Sequence, residues 1–288
     1  MSYDRRVQVA ISSKTDTIVF DERLNITAVI QRSLEDNAPD SCEVNIYNLS
    51  KDTRDFIGSV ATTISVRLGY ADYSGVVFTG DIMNVNHKHQ GPEWITYIDC
   101  GDKAKILQVA NMNKTYVKGT KLLDQLGDVA KAFDSDLELL GDVTYADGVL
   151  SRGKTYSLDA KTHMQQIANQ YGLDWAIQNG KLVIVKKKQH SNNAPFLLDY
   201  TTGLLNSPQT DYDDKTKTIR LKAVCLLNPR LIPGDKLVVH SQALNGRAGN
   251  THVSRQDAGT VAVNIKTVLF NANSREGRFT TSVEGTII

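Results

Sequence analysis

His87 and His89 are the first residues in this chain whose type and spacing point to chemistry. They sit two apart on a stretch that alternates like a β-strand, so they share a face, and paired imidazoles on one face suit a metal such as zinc. They also flank Lys88 beside a Gly91-Pro92 tip, where exposed polar residues are ordinary, and that plainer reading is preferred. His163, His190, His240 and His252 form no ligand spacing. Cys42, Cys100 and Cys225 lie far apart and read as small apolar fillers, not as a zinc cluster or disulfide framework. Any of the 32 Asp and Glu residues is available to a hydrolase, because catalytic carboxylates can be distant in sequence, but no short motif pairs a nucleophile with a base. Gly246-Arg247-Ala248-Gly249 resembles part of a phosphate loop, yet no helix follows to lend its dipole. Lys186, Lys187 and Lys188 fit a solvated strand end better than a nucleic-acid grip. Tyr70, Tyr73 and Gly75 mark a hairpin tip suited to a glycan or partner contact, or to a plain turn. No catalytic, metal or cofactor-binding residue is assigned, and no cofactor is expected.

The bulk properties narrow the class. With 288 residues the chain has room for two or three domains, and 41% hydrophobic and 23% charged residues describe neither a disordered nor a fibrous protein. A net charge of +1 lacks the basic excess of a dedicated nucleic-acid binder. Met1 to Arg6 carries charge without an apolar run behind it, and no stretch of about 18 apolar residues occurs, so neither a secretory signal nor a membrane helix is expected. The expectation is a soluble protein made in a cytoplasm, with no membrane partner.

Whatever the candidate residues do, strands must position them. Cys42, Val44 and Ile46 alternate with Glu43, Asn45 and Tyr47; a corner follows at Asn48-Leu49-Ser50, then a helix from Lys51 to about Val60 with Ser50 as N-cap. Strands at Ile64–Tyr70 and Val76–Asp81 come next, and a ribbon runs through Ile82 and Val85, turns at Lys88 to Pro92, and returns over Trp94–Cys100. With Val7, Val9, Ile11 and Ile26, Ala28, Ile30 also alternating, residues 1–110 read as a small β-barrel plugged by a helix.

Residues 111–190 change period. Leu122, Leu123, Leu126, Val129, Ala130 and Phe133 recur at helical spacing behind Thr120 as candidate N-cap. A second helix from about Asp159 aligns Met164, Ile167, Ala168 and Tyr171 and stops at Gly172. A hairpin then flanks Asn179-Gly180, a strong type I′ turn signal, so this is a small α+β domain. A polar linker, mobile in character, spans Lys186 to Asn193. Residues 191–288 return to strands at Thr218–Leu227 and Gly234–His240, broken at Asn228-Pro229, and close with a ribbon of Val261, Val263 and Ile265, a polar tip over Asn271 to Gly277, and Phe279, Thr281 and Val283. The order echoes the first segment. Two related barrels, or two unrelated β segments, fit that pattern equally.

Several phrases resemble the baseplate hub proteins of tailed bacteriophages, a family that includes the central hub of contractile tails and is related to the base of type VI secretion spikes. They are SCEVNIYNLSKDTRDFI from Ser41, ISVRLGYADYSGVVFTGDI from Ile64 and LLNPRLIPGDKLVVHS from Leu226. LLDQLGDVAKAF from Leu122 and MQQIANQYGLDWAIQNGKLVIV from Met164 resemble the family's small inserted domain, and the likeness runs from about Arg6 to Val283.

The resemblance implies a mainly β chain with a small α+β insertion and two tail-tube-like β-barrels, each plugged by a helix or loop. It implies a non-enzymatic homotrimer with pseudo-sixfold symmetry that fits a sixfold tail tube to a threefold spike. Its partners would be copies of itself, the tail tube or tube-initiator protein, the central spike protein and baseplate wedge proteins. Phage DNA would pass through its channel without sequence-specific binding. Its place would be the virion's tail baseplate, after assembly in the host bacterial cytoplasm. The ribbon tips at Lys88 to Pro92 and Asn271 to Gly277 are the candidates for reaching neighbours. Two rival readings are a baseplate cell-wall hydrolase with carboxylates hidden in the middle domain, and a carbohydrate-binding β module using Tyr70 and Tyr73.

Overall fold

The computed structural model describes residues 4–34, 40–213, 217–242, 245–246 and 259–288. The first segment contains β1 (Arg5–Ser12), β2 (Thr17–Phe20), β3 (Ile26–Ser33), β4 (Ser41–Tyr47), α1 (Lys51–Ser59), β5 (Thr63–Tyr70), β6 (Tyr73–Gln90) and β7 (Glu93–Gly101). The Asn48 corner and helix form as the sequence predicts: Asn48 takes φ 58°, and the Ser50 hydroxyl accepts the Thr53 amide at the helix start. The middle segment contains α2 (Ala104–Val109), β8 (Asn111–Tyr116), α3 (Leu122–Ala132), β9 (Asp136–Leu140), a 3-10 turn (Val143–Asp147), β10 (Lys154–Asp159), α4 (Ala160–Tyr171), β11 (Leu173–Gln178) and β12 (Lys181–Lys186). The last segment contains β13 (Phe196–Leu198), β14 (Gln209–Asp213), β15 (Thr218–Leu226), β16 (Lys236–His240), β17 (Asn245–Gly246), β18 (Thr260–Asn273) and β19 (Thr280–Ile287).

In the middle segment the caps divide. Asp159 caps α4 by accepting the Thr162 amide, and Gly172 ends it at φ 66°, a left-handed value that spares glycine a Cβ clash. Asn179 and Gly180 both take positive φ, 51° and 78°, as a type I′ turn requires. Thr120, however, donates its hydroxyl to the Val117 carbonyl, and Lys121 stands at the N-cap of α3 without a side-chain bond. Leu123 faces out while Gln125 is buried, because the turn Val143–Asp147 packs over the other flank of α3. Phe133 stacks on Trp175 with ring centroids 6.0 Å apart, and these rings anchor a core separate from the β segments.

The expected closed barrel of the first hundred residues is not what the hydrogen bonds draw. Fourteen strands from both β segments form one sheet whose path, among the described residues, runs open-ended from β17 to β2. β3 turns one edge to β4 and the other to β18, so the edge that closure would need is occupied by a strand from the far end of the chain. A single apolar core follows from this, holding Ile30 and Val44 together with Val268 and Phe270.

The echo between the two β segments holds in register across the β6–β7 and β18–β19 pairs, whereas β5–β6 carries a bulge between Val66 and Arg67 that β16–β18 lacks. The pairing order β3-β4-β7-β6-β5-β1 is matched by β14-β15-β19-β18-β16-β13. β6 carries a bulge at Met83 against β7, and β18 carries one at Lys266 against β19. Counting from those bulges, His87 corresponds to Phe270 and Thr96 to Thr281, and both threonines are fully buried. Each corner bonds to the equivalent place: the Asn48 amide donates to the Trp94 carbonyl at 2.7 Å, the Leu227 amide to the Phe279 carbonyl at 3.2 Å. The halves differ where α1 is replaced by the turn after Asn228, and where β13 joins β16 parallel while β1 joins β5 antiparallel.

Candidate assembly surface

β6 is the longest strand, and only its first half is paired on both sides. From Met83 to Gln90 it pairs, among the described residues, with β7 alone, leaving one edge without a strand partner. The backbone polarity of that edge follows from the corner. Trp94 turns its carbonyl to the Asn48 amide and its own amide to Asn48 Oδ1, both toward β4. Alternation then aims Ile95, Tyr97 and Asp99 at β6, where they meet Lys88, Asn86 and Asn84. The amides and carbonyls of Val85, His87 and His89 therefore point out of the bare edge.

The arm's side chains are engaged with each other and with α1. His87 Nδ1 lies 3.1 Å from Thr96 Oγ1, and burial, aided by the Arg54 charge, lowers its pKa. The His89 ring tilts against Trp94 at 5.0 Å, the Arg54 guanidinium lies 4.2 Å over the same indole, and Lys88 sits 5.2 Å over Tyr97. The two histidines thus stiffen the arm separately. No group of three His, Cys, Asp or Glu able to hold a metal occurs among the described residues.

The second ribbon tip, a candidate for reaching a neighbour, is tied to its own chain while residues 275–278 stay exposed. Ser274 donates its amide to the Ile26 carbonyl at 2.9 Å and its hydroxyl to the Leu24 carbonyl at 2.8 Å. Arg5 donates to the carbonyls of Asn273 and Gly277, and Arg275 to that of Arg23. In the tyrosine tip, Tyr70 meets Phe279 edge to face at 5.2 Å, and Tyr73, 45% exposed, lies 5.6 Å from the Arg230 guanidinium. The linker expected to be mobile is pinned as well. Asn264 Nδ2 donates to the Lys188 and Gln189 carbonyls, the Ser191 amide to that of Gly234, and Asn193 Nδ2 to Asp235 Oδ1 at 2.9 Å.

Where the middle segment meets the sheet, charge is buried. Arg32 Nε donates to Asp40 Oδ2 at 2.9 Å and Arg32 Nη2 to Gln178 Oε1 at 3.1 Å; Asp102 accepts the Gly180 amide. Desolvation raises the Asp40 pKa to about 6 despite the guanidinium beside it, and raises that of Asp102. Lys266, the bulge residue, places Nζ 2.6 Å from Asp174 Oδ2 in β11. These residues join the segments, and the sequence carries a trace of one of them: Arg32 continues the inward parity of Ile26, Ala28 and Ile30. The buried carboxylates lie on this joint, held by Arg32 and the hairpin turn.

Cys42, Cys100 and Cys225 are buried and free, as fillers should be. Lys186, Lys187 and Lys188 are exposed. Of Gly246-Arg247-Ala248-Gly249, residues 247–249 lie outside the described residues. No helix of the described residues is long and apolar enough to cross a membrane.

The described residues thus give a mainly β chain with an inserted α+β unit and two halves of the same strand order. A family model described as "Baseplate hub gp41" matches residues 6–256, and the chain belongs to that family, as a structural component of a phage tail baseplate. No curated protein sequence matches it. Among solved structures it is similar to the 43 kDa tail protein of prophage MuSo2 from Shewanella oneidensis, with TM-score 0.63 and 10% identity over 98% of this chain and 97% of that one. A tail protein from Neisseria meningitidis gives TM-score 0.62 and 14% identity over 97% and 96%. The c3393 protein of Escherichia coli, a type VI secretion component, gives 0.59 and 12% over 92% and 73%.

Proposed function

We propose that three copies of this chain form a ring of six related β modules, two per chain, that adapts a sixfold tail tube to a threefold spike and surrounds the channel through which DNA leaves the virion. The observation that carries this reading is the register-level repeat. Two halves with the same strand order and the same bulge give each chain two near-equivalent places in a ring, so threefold symmetry imitates sixfold. The contacts around such a ring are heterologous and close on themselves. Permanent interfaces of this kind bury more than roughly 2,000 Å².

In this reading residues 1–110 and 191–288 are the two tube-type modules, and 111–190 is a separately cored unit carried on them through the Arg32–Gln178 hydrogen bond and the Lys266–Asp174 pair. The tail tube or its initiator would sit on one rim and the central spike on the other, with wedge proteins outside. The net charge of +1 suits a channel that lets phosphates pass without gripping them. Mass photometry of the purified chain at micromolar concentration tests the stoichiometry. Three times the monomer mass, with six lobes in negative-stain averages, is the expected result; a population of monomers alone overturns the ring.

A further inference from the structure

We infer that the middle segment carries a basic, apolar tip that docks on an anionic lipid surface at the level of the headgroups. The tip is made of two loops: residues 117–121, which join β8 to α3, and residues 149–154, which lead into β10. Backbone bonds clasp them together. Leu122 donates its amide to the Gly148 carbonyl at 2.7 Å, Gly119 to that of Leu150 at 2.9 Å, and Leu150 to that of Thr120 at 3.0 Å, with Lys121 bridged to Val149. β8 and β10 pair directly beneath, starting at Lys154↔Tyr116. The two loops therefore form one body, and the side chains on them keep fixed neighbours.

Lys118, Lys121, Arg152 and Lys154 give these loops four positive charges and no negative one. Lys118, Lys121 and Arg152 are exposed and form no ion pair among the described residues, while Lys154 lies 4.5 Å over the Tyr156 ring. Asp124 and Asp147, which flank the loops in sequence, pair with none of them. The nearby Lys114, by contrast, is engaged with Asp128. With +4 on the tip and +1 on the whole chain, the remaining residues sum to −3. A negative surface attracts this end and repels the rest, which orients the approach.

Charge alone would suit any polyanion; the aliphatic residues select a membrane. Val117 is 72% exposed and Val149 56%, and Leu123, two residues past the bridge, faces out as well. Valines standing among unpaired cations gain nothing from a soluble acidic chain. At a bilayer the cations stay with the phosphates while the aliphatic groups enter the boundary between headgroups and acyl chains. The shape agrees, since a Cβ added at Gly119 would meet nothing within 4 Å: the tip projects into open space instead of enclosing a ligand. Such a contact needs no spanning helix, the feature on whose lack the expectation of no membrane partner rests. It stands whether or not the ring proposed above forms.

Vesicle flotation of the full chain tests the contact, with equal parts of phosphatidylglycerol and phosphatidylcholine set against phosphatidylcholine alone. Binding should occur on the anionic vesicles only and should fall at least about tenfold between low salt and about 0.5 M salt. Lys118→Gln/Lys121→Gln/Arg152→Gln should weaken it about a hundredfold, at roughly fivefold per charge. Val117→Ser/Val149→Ser should weaken vesicle binding about tenfold and leave retention on a heparin column unchanged. A polarity-sensitive dye on Val149→Cys should shift to the blue on anionic vesicles and the same dye on Ser59→Cys should not; the native cysteines are buried and stay unlabelled. No binding to anionic vesicles, or binding that the tip variants leave unchanged, overturns the inference. A valine variant that floats as well as the parent while the glutamine variant does not makes the partner a soluble polyanion and overturns the membrane contact. The stoichiometry read by mass photometry moves with none of these outcomes.

Discussion

Replacing Lys266 with methionine should loosen the middle segment from the β sheet far more than the loss of one surface charge would. Lys266 Nζ lies 2.6 Å from Asp174 Oδ2, and the two side chains are only 7% and 16% exposed. Removing one member of a buried pair strands the other charge, at about 3–5 kcal/mol; the slight exposure of Asp174 puts the expected cost near the lower end, about 3 kcal/mol. Methionine is a fair apolar replacement, since it stands at the equivalent bulge, Met83, in the first half. Restoring balance with Lys266→Met/Asp174→Leu should bring stability back to within about 1 kcal/mol of the parent. Urea is the suitable denaturant because it does not screen the pair. Trp175 reports on the middle core, while Trp94 is already 39% exposed and changes little. With a denaturant slope near 1.5 kcal/mol per molar, the single variant should shift the Trp175 transition by roughly 2 M. A single-variant cost below about 0.5 kcal/mol, or a double variant as weak as the single, would refute a buried pair coupling the two cores.

Acid should destabilise the middle core through His163, which is buried against Met112 and Tyr156 and has its pKa lowered to about 4 by desolvation, with Lys154 adding to the effect. The unfolded side chain titrates near 6.5, so its contribution is complete above that pH and is lost as pH falls from about 6.5 to 4; the Trp175 midpoint of His163→Leu should be flatter across this window. Asp159→Ala should cost about 1 kcal/mol because the carboxylate caps α4, whereas Thr120→Ala should lie within about 0.5 kcal/mol of the parent in thermal melts, since Thr120 caps nothing; equal losses would contradict the cap assignment.

Much of the local architecture could be read from the sequence because its causes are local. Ser50 and Asp159 are caps, Gly172 is a stop and Asn179-Gly180 is a turn for reasons contained within a few residues. The failures share a different origin. The β3–β18 pairing joins residues more than two hundred positions apart, and nothing in the alternation of Ile26, Ala28 and Ile30 says which strand fills their second edge. For the same reason the sequence does not show that Arg5 and the Leu24–Ile26 backbone hold the tip after Asn273, or that Asn264 binds the carbonyls of a linker that reads as mobile. On α3 the period was right and the stripe was rotated, since the packed turn at Val143–Asp147 chose Gln125 over Leu123. Of the candidate surface, the exposed arm was visible as a long ribbon with a polar tip. Its unpaired edge depends on where β5 and β7 end against it, which no local pattern encodes.

The embrace of β3 by β18 also sets a schedule for biosynthesis. The ribosome releases β3 long before it makes Thr267, and at about 5–20 residues per second the wait is roughly ten to fifty seconds. Throughout that interval the nascent amino-terminal half carries an unmet row of amides and carbonyls able to capture a sister polypeptide on the same messenger. Synthesis of β18 is thus the moment at which each newborn molecule seals itself.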